Sequence, residues 1–172
     1  TGTLGNSSLG LKLLGKRKKI GSSRDHKFLI KAHLDPTPRV LEASIMARSK
    51  ANITSMIDIS DGLIQDLYHI CEASKVGARI REDRLPQSLE FSRTCIQIKT
   101  SPLPLILNGG EDYELLFTLP PDGVKNLKRQ FQKAKVLITQ IGEVIPKPKK
   151  VIFEKNDGRN EFLPSLKGYN HF

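Results

Sequence analysis

The stretch Met56-Ile57-Asp58-Ile59-Ser60-Asp61-Gly62-Leu63 decides how this chain folds. An apolar run breaks into two acids, a serine and a glycine, and then resumes with helical periodicity from Leu63 to Ser74. The pattern predicts a strand over Ala51–Ile59 that turns into a helix. At such a junction the side chains of Asp58 and Asp61 can point into one space. Two carboxylates there repel unless a cation sits between them. The helix N-terminus beneath them offers free N–H groups and partial positive charge, which favours phosphate. The combination suggests a divalent cation held between protein and a phosphate ester, as Mg2+ is held by one or two carboxylates plus substrate oxygens. The competing reading is a cap: Ser and Asp are preferred at helix starts, and Ser60 or Asp61 could fill that place. A cap accounts for one acid and leaves the strand-side acid unexplained.

Outward from this stretch, the 172 residues suffice for one domain with a full core, or two small ones. The mean hydropathy is −0.32, and no apolar run approaches the roughly 20 residues of a membrane span. The start, Thr1-Gly2-Thr3-Leu4-Gly5, has no initiator Met and no leader pattern, and reads as the interior of a longer protein. Cys71 and Cys95 form neither a metal spacing nor a disulfide framework, which predicts buried, reduced thiols in a cytoplasmic setting.

A net charge of +10 arises from 28 basic and 18 acidic residues, densest at Lys16-Arg17-Lys18-Lys19 and recurring at Lys147, Lys149 and Lys150. A nucleic-acid-binding module is one reading of that charge. No aromatics interleave with the basic runs, however, and no zinc, helix-turn-helix or RNP-type pattern is present. A solvated basic surface, which would also draw in phosphorylated substrates, accounts for it as well.

Along the chain, Asn6–Leu14 reads as a short helix with Leu9, Leu13 and Leu14 inward and Gly15 as its stop. Residues 15–26 read as a mobile basic loop. Phe28–His33 is a short segment ending at Leu34-Asp35-Pro36-Thr37-Pro38. Thr37 can cap and Pro38 can open a helix to about Ser49, with Val40, Leu41, Ile45 and Met46 inward. Gly77 is a candidate stop for the helix that follows the acids, and Ala78–Arg81 a short strand. Gln87–Thr100 carries weak helical periodicity through Leu89, Cys95 and Ile96. Tyr113–Leu119 reads as a central strand, and Pro120-Pro121-Asp122 opens a helix with Val124, Leu127 and Phe131 inward. Val136–Ile145 is a further strand. Val151–Glu154 and Glu161–Leu163 flank the hairpin signature Asn156-Asp157-Gly158. This mixture without a strict βαβ rhythm predicts an α+β fold, with helices packed on a mixed, mostly antiparallel sheet.

A second acidic constellation, Asn108-Gly109-Gly110-Glu111-Asp112, precedes the Tyr113–Leu119 strand. Its glycines allow close approach by another group, and its acids sit at a strand mouth where ligands are often met. A plain turn with solvated acids is the simpler account of it in isolation.

Taken together, Asp58-Ile59-Ser60-Asp61-Gly62-Leu63 and Gly109-Gly110-Glu111-Asp112-Tyr113-Glu114-Leu115 resemble the thiamine-monophosphate kinase family. That family lies within the superfamily of aminoimidazole ribonucleotide synthetase and selenophosphate synthetase. Thr1–Gly5, His33-Leu34-Asp35-Pro36-Thr37-Pro38-Arg39 and the tail Lys167-Gly168-Tyr169-Asn170-His171-Phe172 extend the likeness, with Asn170 where the family usually has Asp. The resemblance implies the superfamily's C-terminal domain fold and a kinase that uses ATP and Mg2+ to convert thiamine phosphate to thiamine diphosphate. It implies that 1–172 is the C-terminal half of a two-domain, homodimeric enzyme and inactive alone. By the same analogy Asp58 and Asp61 bind Mg2+, Ser60 touches ATP, and Glu111 and Tyr169 hold thiamine phosphate. Another small-molecule kinase or synthetase of the superfamily is the neighbouring alternative.

Overall fold

Leu9 and Leu13 fall one helical turn apart, and burying them fixes the first helix, α1 (Asn6–Leu14), against α2 (Ser23–Leu34). The computed structural model describes residues 1–15, 22–148 and 150–163. The predicted loop over 15–26 is corrected at its far end. The Ser22 side chain accepts the Arg24 and Asp25 N–H groups, so the helix has begun by Ser23 and both Asp25 and His26 are buried in it. Residues 16–21, with the densest basic run, lie outside the described residues, as do Lys149 and the tail from residue 164.

The third helix, α3 (Val40–Arg48), starts later than Thr37-Pro38 predicts. Arg39 occupies its N-cap position and is held by Glu114 at 2.6 Å and Glu42 at 3.6 Å. That pairing turns Glu42 inward, so Met46 is buried as expected while Val40 and Leu41 face outward. Leu14, on α1, is likewise exposed rather than inward.

Strand β1 (Ser55–Asp58) then leads into α4 (Leu63–Ser74), whose bounds match the sequence pattern at both ends. Lys75, in left-handed conformation at φ 54°, ends α4; Gly77 is not the stop but opens β2 (Gly77–Arg81). After a 3-10 turn come α5 (Leu89–Gln97) and α6 (Pro102–Leu107). The apolar stripe of α5 differs from expectation: Phe91, Thr94 and Cys95 are buried, whereas Leu89 and Ile96 are exposed. Ser88 caps α5 at the Phe91 N–H, which sets this rotation.

Strand β3 (Leu115–Thr118) is shorter than Tyr113–Leu119 and pairs antiparallel with β1 alone among the described residues, so it is not a central strand. The cause is local: Glu111 and Tyr113 hold φ of 63° and 49°, which interrupts extended backbone until Leu115. Helix α7 (Pro121–Lys133) buries Leu127 and Phe131 as its periodicity predicts. Strand β4 (Gly142–Ile145) is the end of the longer strand expected over Val136–Ile145. Upstream of β4 the carbonyls are taken singly, Leu137 by Gly2 and Ile141 by Arg81, without a ladder. The hairpin β5 (Val151–Glu154) and β6 (Asn160–Leu163) forms as read.

Four strands make a sheet in the order β4-β2-β5-β6, with β2–β5 parallel and the other pairs antiparallel. The fold is therefore α+β with a mixed, mostly antiparallel sheet, as predicted. Its main core gathers Leu9, Leu29, Leu63, Phe91, Ile106 and Phe153 between the helices and this sheet. A smaller core of Met46, Ala51, Leu127 and Phe131 lies under α3 and α7. Cys71 and Cys95 are free and buried, and burial raises both thiol pKa values. Among the described residues no helix is long and apolar enough to cross a membrane.

Candidate active site

Past the end of the β1–β3 ladder the two acidic motifs stay bonded to one another. Ile59 N–H donates to the Glu114 carbonyl at 2.8 Å, and Tyr113 N–H to the Ile59 carbonyl at 2.9 Å. Glu111 N–H donates to the Ser60 carbonyl at 2.8 Å. Two segments far apart in sequence are thus one continuous piece of structure. Two glycines allow the approach. A Cβ on Gly110 would lie 2.3 Å from the Ser60 oxygen, and one on Gly62, at φ 114°, would lie 3.0 Å from the Asn108 carbonyl carbon.

The loop between β1 and α4 is held from within by a residue the sequence reading did not single out. Asp66, one turn into α4, accepts the N–H groups of Ser60, Asp61 and Gly62 on one oxygen, at 3.0, 3.1 and 3.2 Å. It is buried, and burial raises its pKa while the three N–H bonds pull the other way. This corrects the capping expectation for the helix start. Neither Ser60 nor Asp61 caps α4, and the loop's N–H groups are already spent on Asp66. Asp66 was visible as an acid embedded in the apolar stripe Leu63, Ile64, Leu67, Ile70.

With the loop pinned, the side chains of Asp58 and Asp61 are both exposed, and neither has an ion-pair partner among the described residues. Asp58 lies on the face of β1 opposite Ile57, not on a buried side of the strand. Asp61 gathers with Asp66 and His69, one ligand atom of each lying within 4.8 Å of the others; Asp58 is outside that group. Exposed carboxylate oxygens without counter-charge suit a hard cation such as Mg2+, whereas an imidazole suits softer metals. By residue type Asp58 and Asp61 suit Mg2+, while the group of ligand atoms the structure draws together is that of Asp61, Asp66 and His69. The Ser60 hydroxyl has no protein partner among the described residues.

Glu111 presents a half-exposed carboxylate whose Oε2 lies 3.1 Å from His33 Nδ1. The same nitrogen lies 3.0 Å from Ser7 Oγ. Its neighbour Asp112 turns the other way and accepts the Gly5 N–H at 2.7 Å and the Ser7 N–H at 3.1 Å, closing the N-terminus of α1. Burial pushes the Asp112 carboxyl up to about 6. Tyr169 lies outside the described residues. A mostly apolar cavity of about 580 Å³ lies elsewhere, and Asp58, Ser60, Asp61 and Glu111 do not line it.

Residues 2–155 match the family described as AIR synthase related protein, C-terminal domain. This chain belongs to that family. The AIR synthase related domain is 41% identical over 172 residues to a thiamine-monophosphate kinase of Escherichia coli K12, covering all of this chain and 51% of the relative. A solved structure, AaThiL complexed with AMPPCP and TMP, superposes with a TM-score of 0.79 at 33% identity, over 100% of this chain and 50% of that one. The thiamine-monophosphate kinase of Stenotrophomonas maltophilia K279a gives a TM-score of 0.76 at 30% identity, over 92% of this chain and 48% of that one. The domain spans about half the length of the curated relatives it matches.

Proposed function

We propose that this domain forms one wall of a site that transfers the γ-phosphoryl group of ATP to thiamine phosphate, giving thiamine diphosphate and ADP. The reading rests on the AaThiL complex with AMPPCP and TMP, and on relatives of 36–41% identity that carry the kinase name over this whole chain. The observation that carries it into this chain is the backbone bond between Glu111 and Ser60, which sets the two acidic motifs side by side.

An oxygen of thiamine phosphate bonds to the γ-phosphorus as the bond to the β-phosphate bridging oxygen breaks and ADP departs. The acceptor is already an anion, so no residue need remove a proton from it. Positioning and charge neutralisation supply the catalysis. Asp58 and Asp61 are the Mg2+ ligands of this half, and Mg2+ when bound offsets charge on the transferring oxygens. The Ser60 hydroxyl, which has no protein partner among the described residues, donates to the nucleotide. Glu111 accepts from the aminopyrimidine amine, and Tyr169 packs on a flat or cationic ring of the substrate. An N-terminal half supplies the remaining nucleotide and metal ligands and the dimer contact, and the enzyme works in the cytoplasm.

The test is a kinase assay with ATP, Mg2+ and thiamine phosphate on the chain alone and on a fusion to the N-terminal half of the Escherichia coli relative. Expected is no turnover by the chain alone, turnover by the fusion, and loss of at least about 100-fold in the fusion carrying Asp61→Asn. Full turnover by the chain alone, or a fusion that binds ATP yet leaves thiamine phosphate unchanged, would overturn the reading.

A further inference from the structure

We propose that His33 is a positioning residue for Glu111, holding its carboxylate in the orientation that meets the substrate. The inference rests on the assignment of Glu111 to thiamine phosphate made above. The backbone of Glu111 is fixed by its left-handed φ and by its bond to Ser60, but its side chain is half exposed and has freely rotating torsions. Among the described residues its carboxylate has one protein partner, His33 Nδ1 at 3.1 Å. The ring is the better-fixed member of the pair, its side chain being 15% exposed against 52% for Glu111.

The chemistry fixes the tautomer. A carboxylate only accepts, so attraction to Oε2 at 3.1 Å requires a proton on His33 Nδ1, while the hydrogen bond that nitrogen makes is the one with Ser7 Oγ at 3.0 Å. Ser7 is itself held, because its N–H donates to Asp112 at 3.1 Å. The ends of α1 and α2 and the Gly-Gly-Glu-Asp turn are therefore linked by hydrogen bonds from Asp112 to Ser7 and from Ser7 to His33, and by the His33–Glu111 ion pair. Among the described residues Oε1 of Glu111 has no protein partner, and the contact of Oε2 with His33 orients it. An amine donor of the substrate would take it.

The experiment uses the same two-half fusion, with wild type, His33→Ala and His33→Asn, the last because an Asn amide N–H occupies the place of Nδ1–H. Expected for His33→Ala is a rise of about tenfold in KM for thiamine phosphate, the scale of one charge-assisted hydrogen bond. Its kcat and its KM for ATP stay within about twofold, and His33→Asn recovers most of the loss. A merely structural His33 would disturb both KM values and would not be rescued by Asn; that outcome, or an unaffected His33→Ala, overturns the proposal. Nitrogen-15 NMR of the ring provides an arm independent of activity. A protonated Nδ1 whose shift moves in Glu111→Ala supports the bond, and an unprotonated or unmoved Nδ1 refutes it. A wild-type fusion that ignores thiamine phosphate instead indicts the substrate assignment, while the NMR result still decides whether His33 holds Glu111.

Discussion

Asp112 closes the first turn of α1 from the far side of the chain, and burial makes its charge costly there. Its pKa of about 6 lies above the ordinary 3.8 because desolvation outweighs the N–H bonds from Gly5 and Ser7. The sign follows from linkage. Below about pH 4 the carboxyl is neutral folded or unfolded; between about 4 and 6 the unfolded chain ionises first, so stability falls as pH rises; above 6 the loss, roughly 3 kcal/mol, is complete. Urea midpoints at pH 4, 5, 6 and 7 should therefore show wild type losing ground to Asp112→Asn as pH rises. Parallel profiles would show that burial at Asp112 is compensated elsewhere. At this scale the sequence is legible where residue types carry the chemistry. Asp58, Ser60, Asp61 and Glu111 stand out by type and spacing in two glycine-containing motifs, and in the described structure Asp58, Asp61 and Glu111 are exposed and Ser60 is half-buried. Asp66 and His33 are less legible because their roles depend on partners brought close only by folding. Asp112 is of the same kind, since the N–H groups it accepts, of Gly5 and Ser7, belong to the start of α1.

Elements are legible when burial and punctuation agree, and α4 and α7 are the cases. Leu63 to Ser74 carries a full apolar stripe, and Pro121 opens α7 ahead of Leu127 and Phe131. The misread elements share a different cause. Strand β3 is shortened where Glu111 and Tyr113 take positive φ, which no propensity of Glu or Tyr reveals, and β4 where the Leu137 and Ile141 carbonyls are bonded singly rather than in a ladder. Helices α3 and α5 are rotated by an ion pair and a cap, so their apolar residues do not mark their inner faces. Two glycine substitutions differ in what a methyl would meet. Gly110→Ala drives a methyl to 2.3 Å from the Ser60 carbonyl oxygen and forces the two motifs apart, at a cost of about 1–3 kcal/mol. Gly158→Ala, in the open hairpin turn at φ 82° with nothing within 4 Å, bears only backbone strain of about 1–2 kcal/mol. Urea unfolding should show both losses. In the two-half fusion only Gly110→Ala should also lower kinase turnover, and equal turnover in the two would mean that the junction of the motifs does not shape the site.

At the scale of the molecule, the β1–β3 ribbon stands between two cores of unequal size. Ile57 and Leu116 pack on the larger core, while Leu115 and Phe117 pack on the smaller one beneath α3 and α7. The apolar cavity of about 580 Å³ has both cores in its walls, through Ile59, Leu63 and Leu116 on one side and Leu127 on the other. Side chains facing such a gap lack contact partners across it, so each core is bound to the other less tightly than to itself. Asp58 rides on the ribbon, whereas Asp61 is tied to α4 through Asp66, so a cation gripping both would join parts that packing joins weakly. Phe131→Ala probes this division, since removing a fully buried ring costs about 3–5 kcal/mol where its neighbours cannot collapse. Amide hydrogen exchange should show protection falling in α3 and α7 while α4, β2 and β5 keep theirs, as expected of separable cooperative units. A uniform fall across both regions would instead mean that the ribbon transmits the loss and that the cavity divides nothing.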